Sequence, residues 1–235
     1  MISVILPTVR PAQARACLNT VRATCELEIV VVADFPKTQL DGLGWTVSMD
    51  QDRSDVVFEG EDRKLVWLER PRGGVVDALN AGYAVARGDY LFTLSDEAFL
   101  EPRCIDLLYL ALQDEPDRVL TPQSVPDFPF RYYEREFAPF PFLSRKTLTY
   151  INRLFTPFAA YFFDPCYHSF YADPDLSLKA HRADISVATV PHAIIRHYND
   201  LVCPAHLRNL QHRTDDCTTF QTRWNYLREF REPHA

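Results

Sequence analysis

Glycine is scarce in this chain and unevenly spread. Of 235 residues only seven are glycine, all at or before Gly88, so later turns must rely on proline, asparagine and aspartate. Positive charge is also short. Twenty-five lysines and arginines face 32 acids, a net charge of −7, which argues against a nucleic-acid-binding surface. No apolar run approaches the roughly 20 residues that span a bilayer, so no transmembrane segment is expected. Met1-Ile2-Ser3-Val4 runs straight into a strand pattern with no basic leader, and no export signal is visible. The six cysteines (Cys17, Cys25, Cys104, Cys166, Cys203, Cys217) form no C-x-x-C pair and no metal-ligand spacing. They read as reduced thiols, and the expected compartment is the cytoplasm. No G-x-G-x-x-G follows a strand, which excludes a dinucleotide dehydrogenase. Pro7-Thr8-Val9-Arg10-Pro11 is not the glycine-rich basic loop that a nucleotidyltransferase wants after its first strand.

What is present alternates between strand and helix. Ile2 to Leu6 reads as a short apolar strand and Ala12 to Cys25 as a helix. Glu28 to Ala33 is a buried, β-branched strand, and Leu65 to Leu68 is another candidate. Val75, Leu79, Gly82, Tyr83 and Ala86 share one helical face after Gly73-Gly74. Tyr90 to Leu94 is the next strand, and Pro102 opens a helix to Leu112. This order predicts an α/β fold with a doubly wound, mostly parallel sheet flanked by helices. Ligands in such sheets bind beyond the carboxyl ends of the strands, where Thr8, Asp34 and Asp96 would lie.

The later part changes character. Residues 122–142 are dense in proline and aromatics, a helix is expected from Arg145 to Leu154, and another follows Asp173. A strand from Val187 to Val190 leads to Pro191-His192-Ala193-Ile194-Ile195-Arg196-His197, and the end of the chain has a helical apolar stripe from Leu207 to Leu227. The aromatics have two readings, a packed core or the lining of a cleft. One composite domain is expected. It divides into residues 1–123, 124–200 and a C-terminal helix over 201–235.

Two acidic segments stand out: Ser95-Asp96-Glu97 at the end of a strand, and Ala172-Asp173-Pro174-Asp175-Leu176 ahead of a helix. Each has a plain reading as a capping or surface acid. Asp34 likewise reads either as a turn cap or as an acceptor for a base N–H, and His197 as a structural imidazole or a ligand.

With these motifs in order, the chain resembles the GT-A-fold, family-2-type glycosyltransferases, over about Ile2 to His197. Ser3-Val4-Ile5-Leu6-Pro7-Thr8 is similar to the opening strand and nucleotide-contacting turn, and Glu28 to Asp34 to the second strand. Arg72-Gly73-Gly74 through Asn80-Ala81-Gly82 is similar to the glycine-to-Asn-Ala-Gly helix. Ala172 to Leu178 resembles the element that holds the base, and Val190 to His197 the strand-and-histidine element after it.

The resemblance implies transfer of a sugar from a nucleotide-diphosphate donor, UDP favoured, to a hydroxyl of a saccharide, lipid-linked or protein acceptor, with inversion. It implies a nucleotide-sugar-binding half over residues 1–123 and an acceptor half over 124–200 with Asp173 as catalytic base, and it places Thr8, Asp34, Arg72 and Asp96 around the donor. A Mn²⁺ or Mg²⁺ ion is implied on Glu97, with Asp96 and His197 beside it, since hard cations take carboxylate oxygens and substrate phosphates. Two departures stand out: Ser95 replaces the first acid of the metal motif, and Ala172 the acid before the base. They suggest an alternative, a non-catalytic nucleotide-sugar-binding or partner module with a degenerate metal motif, against which the retention of Asp173 and Asp175 speaks.

Overall fold

Apolar residues on both faces of a strand require cover on both sides, and β1 (Ile2–Thr8) shows how it is supplied. Its Ile2, Val4 and Leu6 enter one buried cluster, while Ile5 enters another on the opposite face, the two-residue alternation of a strand. The computed structural model describes residues 1–35, 45–50, 53–58, 64–69, 73–126, 131–132, 135–156, 160–198 and 204–224.

After β1 come α1 (Pro11–Leu18), β2 (Leu27–Ala33), β3 (Trp45–Asp50), β4 (Arg53–Phe58), β5 (Lys64–Glu69) and α2 (Val75–Val85). Next are β6 (Tyr90–Thr93), β7 (Ala98–Leu100), α3 (Cys104–Asp114), β8 (Arg118–Val125) and a small ribbon of β9 (Arg131–Tyr132) and β10 (Arg135–Glu136). The chain continues through β11 (Phe142–Ser144), α4 (Arg145–Phe155), α5 (Ala172–Arg182), β12 (Ser186–His197), α6 (Pro204–Leu210) and α7 (Arg213–Arg223). Among the described residues ten strands form one sheet in the order β3, β4, β5, β2, β1, β6, β11, β8, β12, β7. β1 pairs in parallel with β2 and β6, β2 with β5, and β8 with β12; β4, β11 and β7 run against their neighbours. The result is the mixed, mostly parallel sheet of a GT-A fold. Helices α1 and α3 cover one face, and α2, α4, α5 and α7 cover the other.

Several boundaries differ from the sequence reading. The first helix ends at Leu18 rather than Cys25, because Thr20 leaves the helix. Its hydroxyl donates to the Cys17 carbonyl at 2.7 Å and accepts from Leu100 N–H at 3.0 Å. The helix expected from Pro102 starts at Cys104, after Arg103 adopts a left-handed φ of 67°. The strand expected at 187–190 and the segment to His197 are a single strand, β12, with a register shift between Val190 and Ile194 and a left-handed His192. The single C-terminal helix is two, α6 and α7, and Leu227 lies outside the described residues. The expected division at 123/124 falls inside β8.

Strands β8 and β11 were not expected, and β8 holds Pro122, a residue that ordinarily argues against a central strand. The short β11 pairs with β8 only at Val119 and Leu120, so Pro122 takes no donor from that ladder. The aromatics resolve toward packing. Phe137, Phe140, Phe142, Phe162 and Phe163 are buried core residues rather than a cleft lining. Phe128, Phe130 and Tyr133 lie outside the described residues.

Candidate active site

The carboxyl ends of β1, β2 and β6 lie side by side, with Thr8 opposite Ala33 and Ile5 opposite Thr93. The turns leaving these strands therefore meet at one edge, a cleft of about 430 Å³. Thr8 and Arg10 come from the end of β1, Asp34 from β2, and Ser95, Asp96 and Glu97 from the turn after β6. Gly73, Gly74, Val75 and Asp77 add the amino end of α2, and α6 with the start of α7 supplies His206, Arg208, Asn209, Gln211 and His212. A larger hollow of about 690 Å³ beside Arg145 and Tyr90 lies at the opposite, amino-terminal end of β6 and contains none of these groups.

Gly74 is required by a close approach. A Cβ there would sit 2.3 Å from the His168 carbonyl oxygen, which accepts the Val76 N–H at 3.1 Å and so caps α2. His168 is itself held by α7. The buried Asp216 carboxylate accepts the N–H groups of His168, Ser169 and Phe170 at 2.8, 2.9 and 2.8 Å. The His168 ring stacks on His212 at 3.6 Å between centroids. Burial, and then His212, pull the His168 pKa below its ordinary value.

Arg10 dominates the carboxylate end of the cleft. Pro11 fills the first turn of α1, where its missing N–H costs nothing, and Arg10 precedes it in extended conformation with its side chain turned to the β6 turn. Its Nη1 donates to Glu97 Oε1 at 2.6 Å, its Nε to Asp96 Oδ2 at 3.3 Å, and its Nη2 to Asp96 Oδ1. Thr8 donates its hydroxyl to Asp96 Oδ2 at 2.7 Å. Burial works to lower the Arg10 pKa, but Asp96 and then Glu97 outweigh it and hold the guanidinium above its ordinary value. His197, largely buried, has Nε2 3.9 Å from Glu97 Oε2 and packs edge-on against Phe140. Burial lowers its pKa against the pull of Glu97, favouring the neutral imidazole.

The expected dication does not fit this arrangement. Both Asp96 oxygens accept hydrogen bonds from Arg10 or Thr8, Glu97 Oε1 is taken by Arg10, and Glu97 Oε2 faces His197. At the position of the missing acid, the Ser95 hydroxyl is buried with no hydrogen-bond partner among the described residues and brings no charge. Mg²⁺ or Mn²⁺ needs carboxylate oxygens turned toward it at about 2 Å, and here those oxygens are turned to a guanidinium.

The structure thus brings Thr8, Asp34, Asp96 and Glu97 to one cleft and leaves His197 behind Glu97, off the lining. The Thr8 hydroxyl is committed to Asp96 rather than open to a nucleotide. Arg72 lies outside the described residues. Asp173 is the second residue of α5, after Tyr171 in left-handed conformation with a φ of 63°. It does not line the 430 Å³ cleft and stands five residues beyond His168, which does. Burial pushes the Asp173 carboxyl up to about 7. Ala172, where an acid was expected, is buried in the core cluster.

Asp175 is buried. Its carboxylate accepts from Tyr167 Oη at 3.1 Å and Trp224 Nε1 at 2.8 Å, and pairs with Lys179 at 2.7 Å. Lys179 also reaches Asp164 at 2.9 Å, and Arg223 reaches Asp164 at 2.5 Å. This buried network ties α5 to α7.

Sequence reasoning passed over Arg10, His168, His206, Arg208 and His212. Arg10 had one usable signal, a cation directly after the strand that neighbours the acid-bearing one. The α6 and α7 residues had none, since nothing in their spacing folds them back over β1.

A mixed, mostly parallel sheet with a carboxylate-bearing turn beyond its central strands is the architecture of the GT-A fold. The chain belongs to glycosyl transferase family 2, whose family model matches residues 3–170. No curated protein matches the sequence. Among solved structures it is similar to the mannosyltransferase PcManGT from Pyrobaculum calidifontis, in complex with GDP-Man and Mn²⁺, at 14% identity and a TM-score of 0.65. That match covers 100% of this chain and 65% of the other. It is also similar to residues 1–349 of TarS from S. aureus, at 16% identity and a TM-score of 0.56, over 83% of this chain and 60% of that one. This chain therefore spans less than two thirds of either relative.

Proposed function

We propose that this glycosyltransferase moves a sugar from a nucleotide-diphosphate donor to a hydroxyl acceptor, with inversion at the anomeric carbon. The observation that carries the reading is the convergence of Asp34, Arg10, Asp96 and the Gly73-Gly74 turn at one cleft beyond β1, β2 and β6. Base recognition falls to Asp34 on the β2 side. The diphosphate meets Arg10 and the amino end of α2, with Arg208 and His206 facing them across the cleft. The neighbour solved with GDP-Man supports a nucleotide sugar and makes UDP and GDP the nucleotides to compare. Free Cys17, Cys25, Cys104, Cys166 and Cys217 support a reducing, cytoplasmic compartment. Among the described residues no helix is long and apolar enough to cross a membrane. The single domain of residues 1–235, with donor-binding and acceptor halves, is part of the same proposal.

In the reaction the acceptor's hydroxyl oxygen attacks the anomeric carbon as the bond to the diphosphate oxygen breaks. The bonding pair leaves with the diphosphate, and the hydroxyl proton passes to a carboxylate, for which we propose Asp173. A carboxyl near 7 is well matched to that task, since a base works best when its pKa lies close to the working pH. Asp173→Asn keeps the side chain's size but cannot take a proton. Sugar transfer to acceptor should fall at least about a hundredfold, with nucleotide affinity near normal. Transfer at the wild-type rate would remove Asp173 from this role. A wild type inert across a broad donor and acceptor panel, yet still binding nucleotide, would favour the binding-module alternative that Ser95 and Ala172 suggest.

A further inference from the structure

Arg10 occupies the place that an ion would take. It bridges Asp96 and Glu97 through three of its five N–H groups, one from each nitrogen. The other two N–H groups stay on a side chain that is 26% exposed and lines the cleft. A divalent ion between two carboxylates and a diphosphate has two tasks: to cancel the repulsion among the anions and to hold the phosphate oxygens. A guanidinium in this position performs both, because its planar fork grips carboxylates on one edge and offers donors on another.

The surroundings suit a fixed cation rather than a mobile one. Thr8 Oγ1 accepts the Arg10 backbone N–H at 3.2 Å while donating to Asp96, so the backbone and the acid that holds the side chain are pinned by one hydroxyl. Ser95 supplies no further negative charge to draw a dication away from Arg10. Resting on the donor reading above, we infer that Arg10, rather than a metal ion, is the cation that receives the donor's diphosphate, so nucleotide-diphosphate binding by this chain needs no divalent metal. On bond cleavage the same side chain faces the charge that gathers on the leaving group.

The test is calorimetric titration of the full chain with UDP and with GDP, in EDTA and in Mn²⁺. The wild type should bind its preferred nucleotide in EDTA with a Kd within about threefold of that in Mn²⁺, less than the tenfold that 1.4 kcal/mol represents. Arg10→Ala should weaken binding in EDTA by at least about tenfold, the scale of one charge-assisted hydrogen bond. Mn²⁺ should then restore part of that loss, because Asp96 and Glu97 are freed to hold it. Arg10→Lys, which keeps the charge but loses the fork, should fall between them. Wild-type binding that is present in Mn²⁺ and lost in EDTA would overturn the inference while sparing the donor reading. So would Arg10→Ala binding like the wild type in EDTA. Should Arg10→Ala fail to fold with two carboxylates left unpaired, the wild-type comparison alone decides. Absence of binding by either nucleotide under both conditions would overturn the donor reading as well.

Discussion

A single substitution at Asp173 reads both its effect on stability and the base role proposed for it. Burial pushes its carboxyl up to about 7, against roughly 3.9 in an unfolded chain. Between those values the folded protein holds a proton that the unfolded chain releases. Its contribution to stability is therefore fully present below about 4 and is lost as pH rises through 7. If Asp173 is the base, sugar transfer moves the other way, rising with pH through an apparent pKa near 7 and then levelling. Asp173→Asn should abolish that rise in a pH–rate profile and raise Tm at pH 8, where the wild type carries a half-buried charge. An Asn variant less stable than the wild type at pH 8, with the pH–rate step unchanged, would show that the carboxyl is neither base nor strained. The candidate carboxylates at 96 and 97 were legible in the sequence because a short apolar strand ending in acids fixes their place at a sheet edge. Arg10 was not, because its partners lie 86 and 87 residues away and no local pattern signals a pairing at that separation.

Between helices, the buried pairs of Lys179 decide how α5 is held. Burial alone would raise the Asp164 carboxyl, yet Lys179 and Arg223 hold it well below the usual carboxylate range. The same burial works to lower the Lys179 pKa and is outweighed by Asp175 and Asp164. Lys179→Met would leave two buried carboxylates sharing Arg223, whose guanidinium is 3.4 Å from Asp175. Breaking such a pair costs about 3 kcal/mol, to be measured by denaturant unfolding at pH 7. Because the Asp164 pKa is depressed, its stabilising share is present above about 4 and fades as pH falls below that. The gap between variant and wild type should therefore narrow at pH 3; a gap independent of pH would assign the cost to packing instead. The i,i+4 spacing of Asp175 and Lys179 was visible in the sequence. Their meeting with Asp164 and Arg223 was not, since it depends on how α7 closes over α5. Strands β8 and β11 were missed for a related reason. Their partners are each other, β6 and β12, and an antiparallel insertion in a parallel sheet leaves no period of its own in so short a segment as β11.

Across the molecule, the sheet brings Asp34 to one side of a cleft and Arg10 with the amino end of α2 to another, and on the proposed reading nucleotide preference should be separable from diphosphate binding. Asp34 follows β2 and its N–H is bonded to the Thr8 carbonyl at 2.9 Å, so the backbone is fixed while the carboxylate lines the cleft. A carboxylate can accept the N3–H of uracil or the N1–H and amino group of guanine, but adenine presents no ring N–H in the matching place. The prediction is that UDP or GDP stabilises the protein more than ADP does. A ligand at a hundred times its Kd adds about 2.7 kcal/mol to the folded state, and for a chain of this size that raises Tm by about 5–10 °C. Asp34→Ala should bring all three nucleotides to a common, smaller shift, because the contacts of Arg10 and the α2 amino end with the diphosphate are blind to the base. The apo variant should melt close to the wild type, since an acid just past a strand end carries little core packing. Equal shifts for UDP, GDP and ADP in the wild type would mean that the base is bound elsewhere. Loss of every shift in Asp34→Ala would mean that Asp34 organises the whole cleft rather than one of its walls.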